Sequence, residues 1–323
     1  MTGMTRRGFV AAGTASFGLA PTIVRAQDYP SKQVRVVVPY PAGGGTDLVA
    51  RLIVPRLADK WKQTVIIENK GGASGILGSE IVAKAPPDGY TLLIMTSAHT
   101  INPYTTKVLP YDTERDFTPV TPLVEGALAL VGSPKAGMDS MEKFMTAAKA
   151  NPGKYQFGST ENTTRMVGEL FRVKSGLKIE NVAYKGAAPM MQELAGGHIP
   201  VGFTSPLTVM SHHRAGTLRI LAVSGTKRLP GLEDIPTIAE AGVPGVDTLA
   251  WFAMFGPGKL PPALANRLRD DVVAVLAEPE VKAKIRDLSS LPGGEAPDAF
   301  AQRIKSELAS WGEIAKVAGI QPE

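Results

Sequence analysis

Val34, Val36, Val37 and Val38 form a β-branched run broken only by Arg35, and the run stops at Pro39. Gly43-Gly44-Gly45 then turns the chain, and Leu48, Leu52, Ile53 and Leu57 recur at the spacing of one buried helix face. That order predicts strand, loop and helix. The pattern repeats with a strand at Thr64 to Glu68, a second glycine-rich turn at Asn69 to Gly75, a helix at Ile76 to Ala85 and a strand at Tyr90 to Thr96. After a proline-rich, less periodic stretch from Ile101 to Pro122 come a strand at Ala127 to Val131 and a helix at Ser140 to Ala150. A second series follows: strands at Tyr155 to Gly158, Ile179 to Ala183, Val201 to Phe203 and Arg219 to Val223, with helices at Thr163 to Lys174, Ala187 to Ala195 and Leu207 to Ala215. Beyond the turn-rich Gly225 to Pro236, the pattern predicts a short helix at Thr237 to Ala241, a strand at Ala250 to Phe255, and long amphipathic helices at Pro261 to Leu276 and Asp298 to Val317.

Alternation of this kind argues an α/β fold with mostly parallel sheets flanked by helices, whose ligands sit outside the carboxyl ends of the strands. In the first unit those ends are Tyr40 to Asp47, Asn69 to Ser74 and Ser97 to Thr100. Two similar units are joined near Val124 to Leu130, and the return crossing falls in Gly225 to Pro236. The expected division is residues 27–126 with 237–323 in one lobe and 127–236 in the other. Phe300 and Trp311 should anchor the last helix, which completes the first lobe.

The first 26 residues read as an export signal: Arg6-Arg7, an apolar and small-residue stretch from Gly8 to Val24, and Val24-Arg25-Ala26 before a cleavage point after Ala26. Thr5-Arg6-Arg7-Gly8-Phe9-Val10 resembles a twin-arginine motif, although paired arginines also occur in ordinary secretory signals. Of the formal net charge of +5, three charges (Arg6, Arg7 and Arg25) lie in this segment, leaving +2 beyond it. So small a surplus, with no basic run, does not argue for nucleic acid or an anionic membrane as partner. The absence of cysteine removes disulfides, thiolate nucleophiles and cysteine-based metal sites.

Glycines at the start of a helix let backbone N–H groups face a cavity where the helix dipole favours negative charge. The loop fails both nucleotide fingerprints: Leu48 stands where a Rossmann loop has its third glycine, and no Gly-Lys-Ser/Thr follows. The anion it suits is therefore a carboxylate, held by Ala42, Gly43, Gly44, Gly45 and Thr46. Thr46 and Asp47 stand where the helix cap is expected. Asp47 would repel an anionic ligand, so it should orient loop N–H groups or water. Lys185 offers a cation at a strand's carboxyl end, and Tyr40 and Tyr184 are candidate walls. Ser97 and His99 are candidate hydrogen-bonding groups. A secreted hydrolase using His99 or a serine is the alternative from another class, but no G-x-S-x-G elbow exists to complete it. His212-His213 points in two directions on a helix, so no metal or cofactor is expected.

Several stretches, in order, resemble the Bug-type solute receptors of tripartite tricarboxylate transporters. They are Val38-Pro39-Tyr40-Pro41-Ala42-Gly43-Gly44-Gly45-Thr46-Asp47, Ala85-Pro86-Pro87-Asp88-Gly89-Tyr90, Leu109-Pro110-Tyr111-Asp112, Asn151-Pro152-Gly153-Lys154, Tyr184-Lys185-Gly186, Pro236-Thr237 and Trp251-Phe252. The resemblance implies a type II periplasmic binding protein fold. In it two lobes joined by two crossover segments close on a small carboxylate without catalysis, and the ligand passes to integral membrane transporter subunits. It implies that one pinching loop is Tyr40 to Asp47 and that the other is Ser159 to Thr164 with Tyr184-Lys185-Gly186. Such a receptor is periplasmic, and a monomer is the expected state of this chain; a ligand sensor for a signalling receptor would use the same clamp. The chain departs from the family at Thr160-Glu161-Asn162-Thr163-Thr164-Arg165, which adds an acid and a guanidinium near the cleft. Arg165 either pairs with a ligand carboxylate or with Glu161 or Glu169. A second departure, Thr204-Ser205 after Phe203 where relatives commonly carry an acid, favours a carboxylate ligand without an amino group. Thr160, Asn162, Thr163, Thr164, Thr204 and Ser205 supply the remaining hydroxyls and amide of the expected site.

Overall fold

The computed structural model describes residues 29–322, so the predicted export segment lies outside the described residues. In chain order the elements are β1 (Val34–Val38), α1 (Gly45–Trp61), β2 (Val65–Asn69), α2 (Ile76–Ala83), β3 (Thr91–Thr96), α3 (Ala98–Thr105), β4 (Phe117–Ala127), β5 (Ala129–Gly132), α4 (Met141–Ala150), β6 (Gln156–Ser159) and α5 (Asn162–Ser175). They continue as β7 (Glu180–Ala183), α6 (Ala187–Gly196), β8 (Val201–Thr204), α7 (Pro206–Arg214), β9 (Arg219–Val223), β10 (Leu249–Pro257), α8 (Pro262–Leu276), α9 (Pro279–Asp287), β11 (Leu291–Pro292) and α10 (Pro297–Ala318).

Two sheets carry the fold, one of order β11-β4-β10-β3-β1-β2 and one of order β7-β6-β8-β5-β9. The valines of β1 are fully buried because helices cover both faces of the strand, which accounts for its near-continuous apolar run. Both sheets are mixed. β1 pairs in parallel with β2 and β3, and β6 with β7 and β8, whereas β10 and β5 run antiparallel to the neighbours on both sides. The antiparallel strands are the ones next to the lobe crossings. The chain leaves the first sheet at Ala127, passes Leu128 and enters the second sheet at Ala129.

The return comes at Leu249, later than the expected boundary at 237. Between the two sheets Thr237 bridges Val223, and Ile238, Val243 and Val246 pack into the second lobe's core. Their spacing follows neither a strand nor a helix, so periodicity alone does not reveal which core they join. The stretch after Thr96 also differs from the expected strand end, because Ala98–Thr105 is a helix with Pro103 inside it. The last helix does not belong to the first lobe alone. Phe300 and Ile304 pack in a first-lobe core, whereas Trp311 and Ala315 pack with Phe157, Phe171 and Phe203 in the second.

Candidate functional site

Between the sheets lies a cavity of about 810 Å³. Its walls come from the carboxyl ends of β1, β2 and β3 on one side and of β6, β7 and β8 on the other, with Trp251 and Phe252 of β10 at its base. Strand ends converge here because each parallel strand must turn into its helix at the same edge of the sheet.

On the first lobe, Gly44, Gly45 and Thr46 border the cavity, and α1 begins at Gly45 with no side chain capping it. The first N–H groups of a helix have no partner within it, so this terminus faces the cavity with open donors. Asp47 is the third residue of the helix rather than its cap, since the glycines let the helix begin three residues earlier, with Gly44 at the cap. Its carboxylate points back into the protein, accepting Gly43 N–H at 2.9 Å, Arg51 Nε–H at 2.8 Å and Asn69 Nδ2–H at 3.1 Å. Burial alone would raise the Asp47 carboxyl, but those bonds outweigh it and hold it below its ordinary range. Neither Asp47 nor Gly43 borders the cavity. They shape the loop, and Gly43 does so at φ +83, where a side chain would be strained.

Facing this terminus is the start of α6, whose N-cap Gly186 likewise has no side-chain cap. Gly186 abuts the first loop closely enough that an added Cβ would lie 3.5 Å from Pro41 Cγ. Tyr184, Lys185, Ala187 and Ala188 border the cavity beside it, with Lys185 exposed. Ala42 and Tyr40 border it from the first lobe, and the Tyr40 hydroxyl is 2.9 Å from Thr96 Oγ1.

The α5 terminus is filled from within. Glu161 accepts Thr163 N–H at 3.0 Å and Thr164 N–H at 3.2 Å, and Thr164 Oγ1 reciprocates by accepting Glu161 N–H at 3.2 Å. Thr96 of the first lobe donates to the same carboxylate at 3.3 Å. Burial pushes the Glu161 carboxyl up, and the hydrogen bonds only partly offset it. The Asn162 amide is also engaged: its Nδ2 donates to Asn102 Oδ1 at 2.8 Å and to Thr105 Oγ1 at 2.7 Å, both on α3. Asn162 therefore ties the lobes together, and it borders the cavity as well. Thr160, Thr163, Thr164, Arg165, Thr204 and Ser205 all border the cavity, with the Thr204 hydroxyl 2.7 Å from that of Thr208.

Ser97 and His99 stand apart from the cavity wall. Ser97 Oγ accepts Trp251 N–H at 2.9 Å, and His99 lies fully buried among Tyr111, Phe117 and Phe255 with Nε2 3.2 Å from Thr113 O. Burial pushes His99 down to about 4. The early helix start turns these residues inward, where a strand end would have exposed them. Sequence reasoning passed over Thr96, Thr208, Trp251 and Phe252, which border the cavity, and the capping role of Glu161. The Trp251-Phe252 pair was visible as a strand, but its facing the cleft depends on β10 pairing with β3, a non-local contact. Among the described residues no cluster of His, Asp and Glu could hold a metal ion, and no helix is long and apolar enough to cross a membrane.

Comparison with known proteins agrees with this architecture. BugT of Bordetella pertussis is 30% identical over 309 residues, covering 94% of each chain. A structure from R. palustris solved with adipate is 36% identical and covers 92% of this chain and all of its own, with a TM-score of 0.88. MatC from Rhodopseudomonas palustris with bound malate is 27% identical, covering 88% of this chain and 99% of its own with a TM-score of 0.82. The two-lobed fold is thus that of periplasmic binding proteins. The model of the tripartite tricarboxylate transporter family receptor matches residues 49–320, and the chain belongs to that family.

Proposed function

We infer that this chain is a periplasmic solute receptor that captures a small carboxylate between its lobes and delivers it to the membrane subunits of a tripartite tricarboxylate-type transporter. The observation that carries this reading is the pair of helix N-termini, α1 at Gly44 and α6 at Gly186, that open on the cavity from opposite lobes without a side-chain cap. An oxyanion between them would receive backbone N–H groups from both, and a ligand bonded to both lobes favours the closed state. Asp47 serves by fixing the first loop from behind, and Lys185 adds a cation beside the second. Two similar proteins were solved with the carboxylates adipate and malate. Binding and release need no chemical step, so the role is transport without turnover.

A thermal-shift screen of the protein without residues 1–26 tests the reading. A carboxylate at a hundredfold excess over Kd should stabilise the folded state by about 2.7 kcal/mol, while sugars, amino acids and phosphate esters leave it unmoved. A shift from sugars or phosphate esters alone would refute it.

A further inference from the structure

Five helices begin at the cavity, and they differ in what fills their first turn; at α2 the Gly75 N–H is bonded to Gly72 O at 3.0 Å and the Ile76 N–H to Ala73 O. The α1 and α6 termini are open. α7 starts with Pro206, which has no N–H, and its Thr208 N–H is bonded to Ser205 O at 3.0 Å. At α5 the position an anion would take is held by the carboxylate of Glu161, on two backbone N–H groups and the Thr96 hydroxyl. Glu161 itself borders the cavity. A ligand whose first carboxylate sits between α1 and α6 therefore meets, at α5, a built-in acid that already holds the N–H groups of Thr163 and Thr164. Lys185 adjoins Gly186 and belongs with the first carboxylate. Arg165 lies one turn after Glu161, so an anion drawn to it also meets the field of that acid. The rest of the wall includes Leu128, Ala187, Pro189, Trp251 and Phe252, which suit an uncharged body.

Resting on the carboxylate reading of this cleft, we propose that Glu161 is a specificity-determining residue. It occupies the α5 terminus as an internal carboxylate and restricts the receptor to acids with one carboxylate and an uncharged far end. Dicarboxylates are rejected by the like charge of that carboxylate.

The test is isothermal titration of the purified protein with two matched pairs, hexanoate with adipate and 4-hydroxybenzoate with terephthalate. In whichever pair binds, the monoacid should bind at least tenfold more tightly. Glu161→Gln, and Glu161→Ser as a second neutral variant with a good capping hydroxyl, should cut the ratio to threefold or less, whereas Glu161→Asp keeps it. A diacid that binds wild type as tightly as its monoacid overturns the proposal, as does an unchanged ratio in a folded neutral variant. If the thermal screen returns no carboxylate at all, the carboxylate reading fails and the proposal falls with it, a result distinct from diacid binding.

Discussion

Two acids at the cleft show how a residue's role follows from what it bonds rather than from where it stands in the sequence. Asp47 and Glu161 both lie at the start of a helix, yet the first bonds inward and the second borders the cavity. Asp47→Ala leaves Gly43 N–H without its acceptor and the Asn69 amide with Tyr40 O alone. It should cost about 1–3 kcal/mol in urea unfolding and weaken ligand binding through the loop. His99 gives a pH signature of known sign. Its folded value is depressed to about 4, so its contribution to stability is complete above the unfolded value near ~6.5 and is lost as pH falls through the folded value. Between those limits it accounts for about 3 kcal/mol of acid destabilisation, which His99→Phe should remove from the slope of stability against pH, measured by urea unfolding. An unchanged slope would show that His99 is not buried as a neutral ring. The Asp47 role was readable in part: an acid beside an anion site should orient loop N–H groups, and it accepts that of Gly43, although it stands inside the helix and not at its cap. His99 looked like a rim group because a strand end exposes its side chains.

At the level of elements, the glycine loop was readable and its continuation was not. A β-branched run, three glycines and a 3.6-residue apolar period specify β1, the turn and α1 through local preferences alone. The first residue of α1 is Gly45, and a Cβ there would meet the Phe252 ring at 2.9 Å. Gly45→Ala should therefore push that ring into the cavity and weaken carboxylate binding by tenfold or more, with only a small change in melting temperature. The α3 helix escaped notice because it contains Pro103 and buries polar side chains, including Asn102 and Thr105, that give no amphipathic period. Those side chains are buried because they hold the α5 terminus through Asn162. The last helix looked like a single-lobe element because its apolar stripe does not reveal that two cores share it. Trp311→Ala empties a site in the second lobe and should cost about 3–5 kcal/mol, measured by denaturant unfolding.

In the whole molecule, the lobes are linked by two chain crossings, by α10 and by side chains that reach across. Asn162 bonds to α3, Thr96 bonds to Glu161, and Arg172 bonds to Ala318 O at 3.2 Å. A clamp of this kind closes when a ligand adds bonds to both lobes, and bonds already spanning them lower the cost of closure. Asn162→Ala should shift the free protein toward an open form with a larger radius of gyration in solution scattering, which bound ligand reverses. The two-lobed plan was visible in the order of strands and helices, whereas the late return at Leu249 was not, since the short helix expected at Thr237 to Ala241 is a turn and no strand or helix lies between Val223 and Leu249. The central claim is that a ligand carboxylate lies between the α1 and α6 termini. The most direct test is isothermal titration of the acid returned by the thermal screen against its own carboxamide, which keeps the shape and removes the charge. We predict at least a hundredfold weaker binding of the amide; equal affinity for the two would contradict the account.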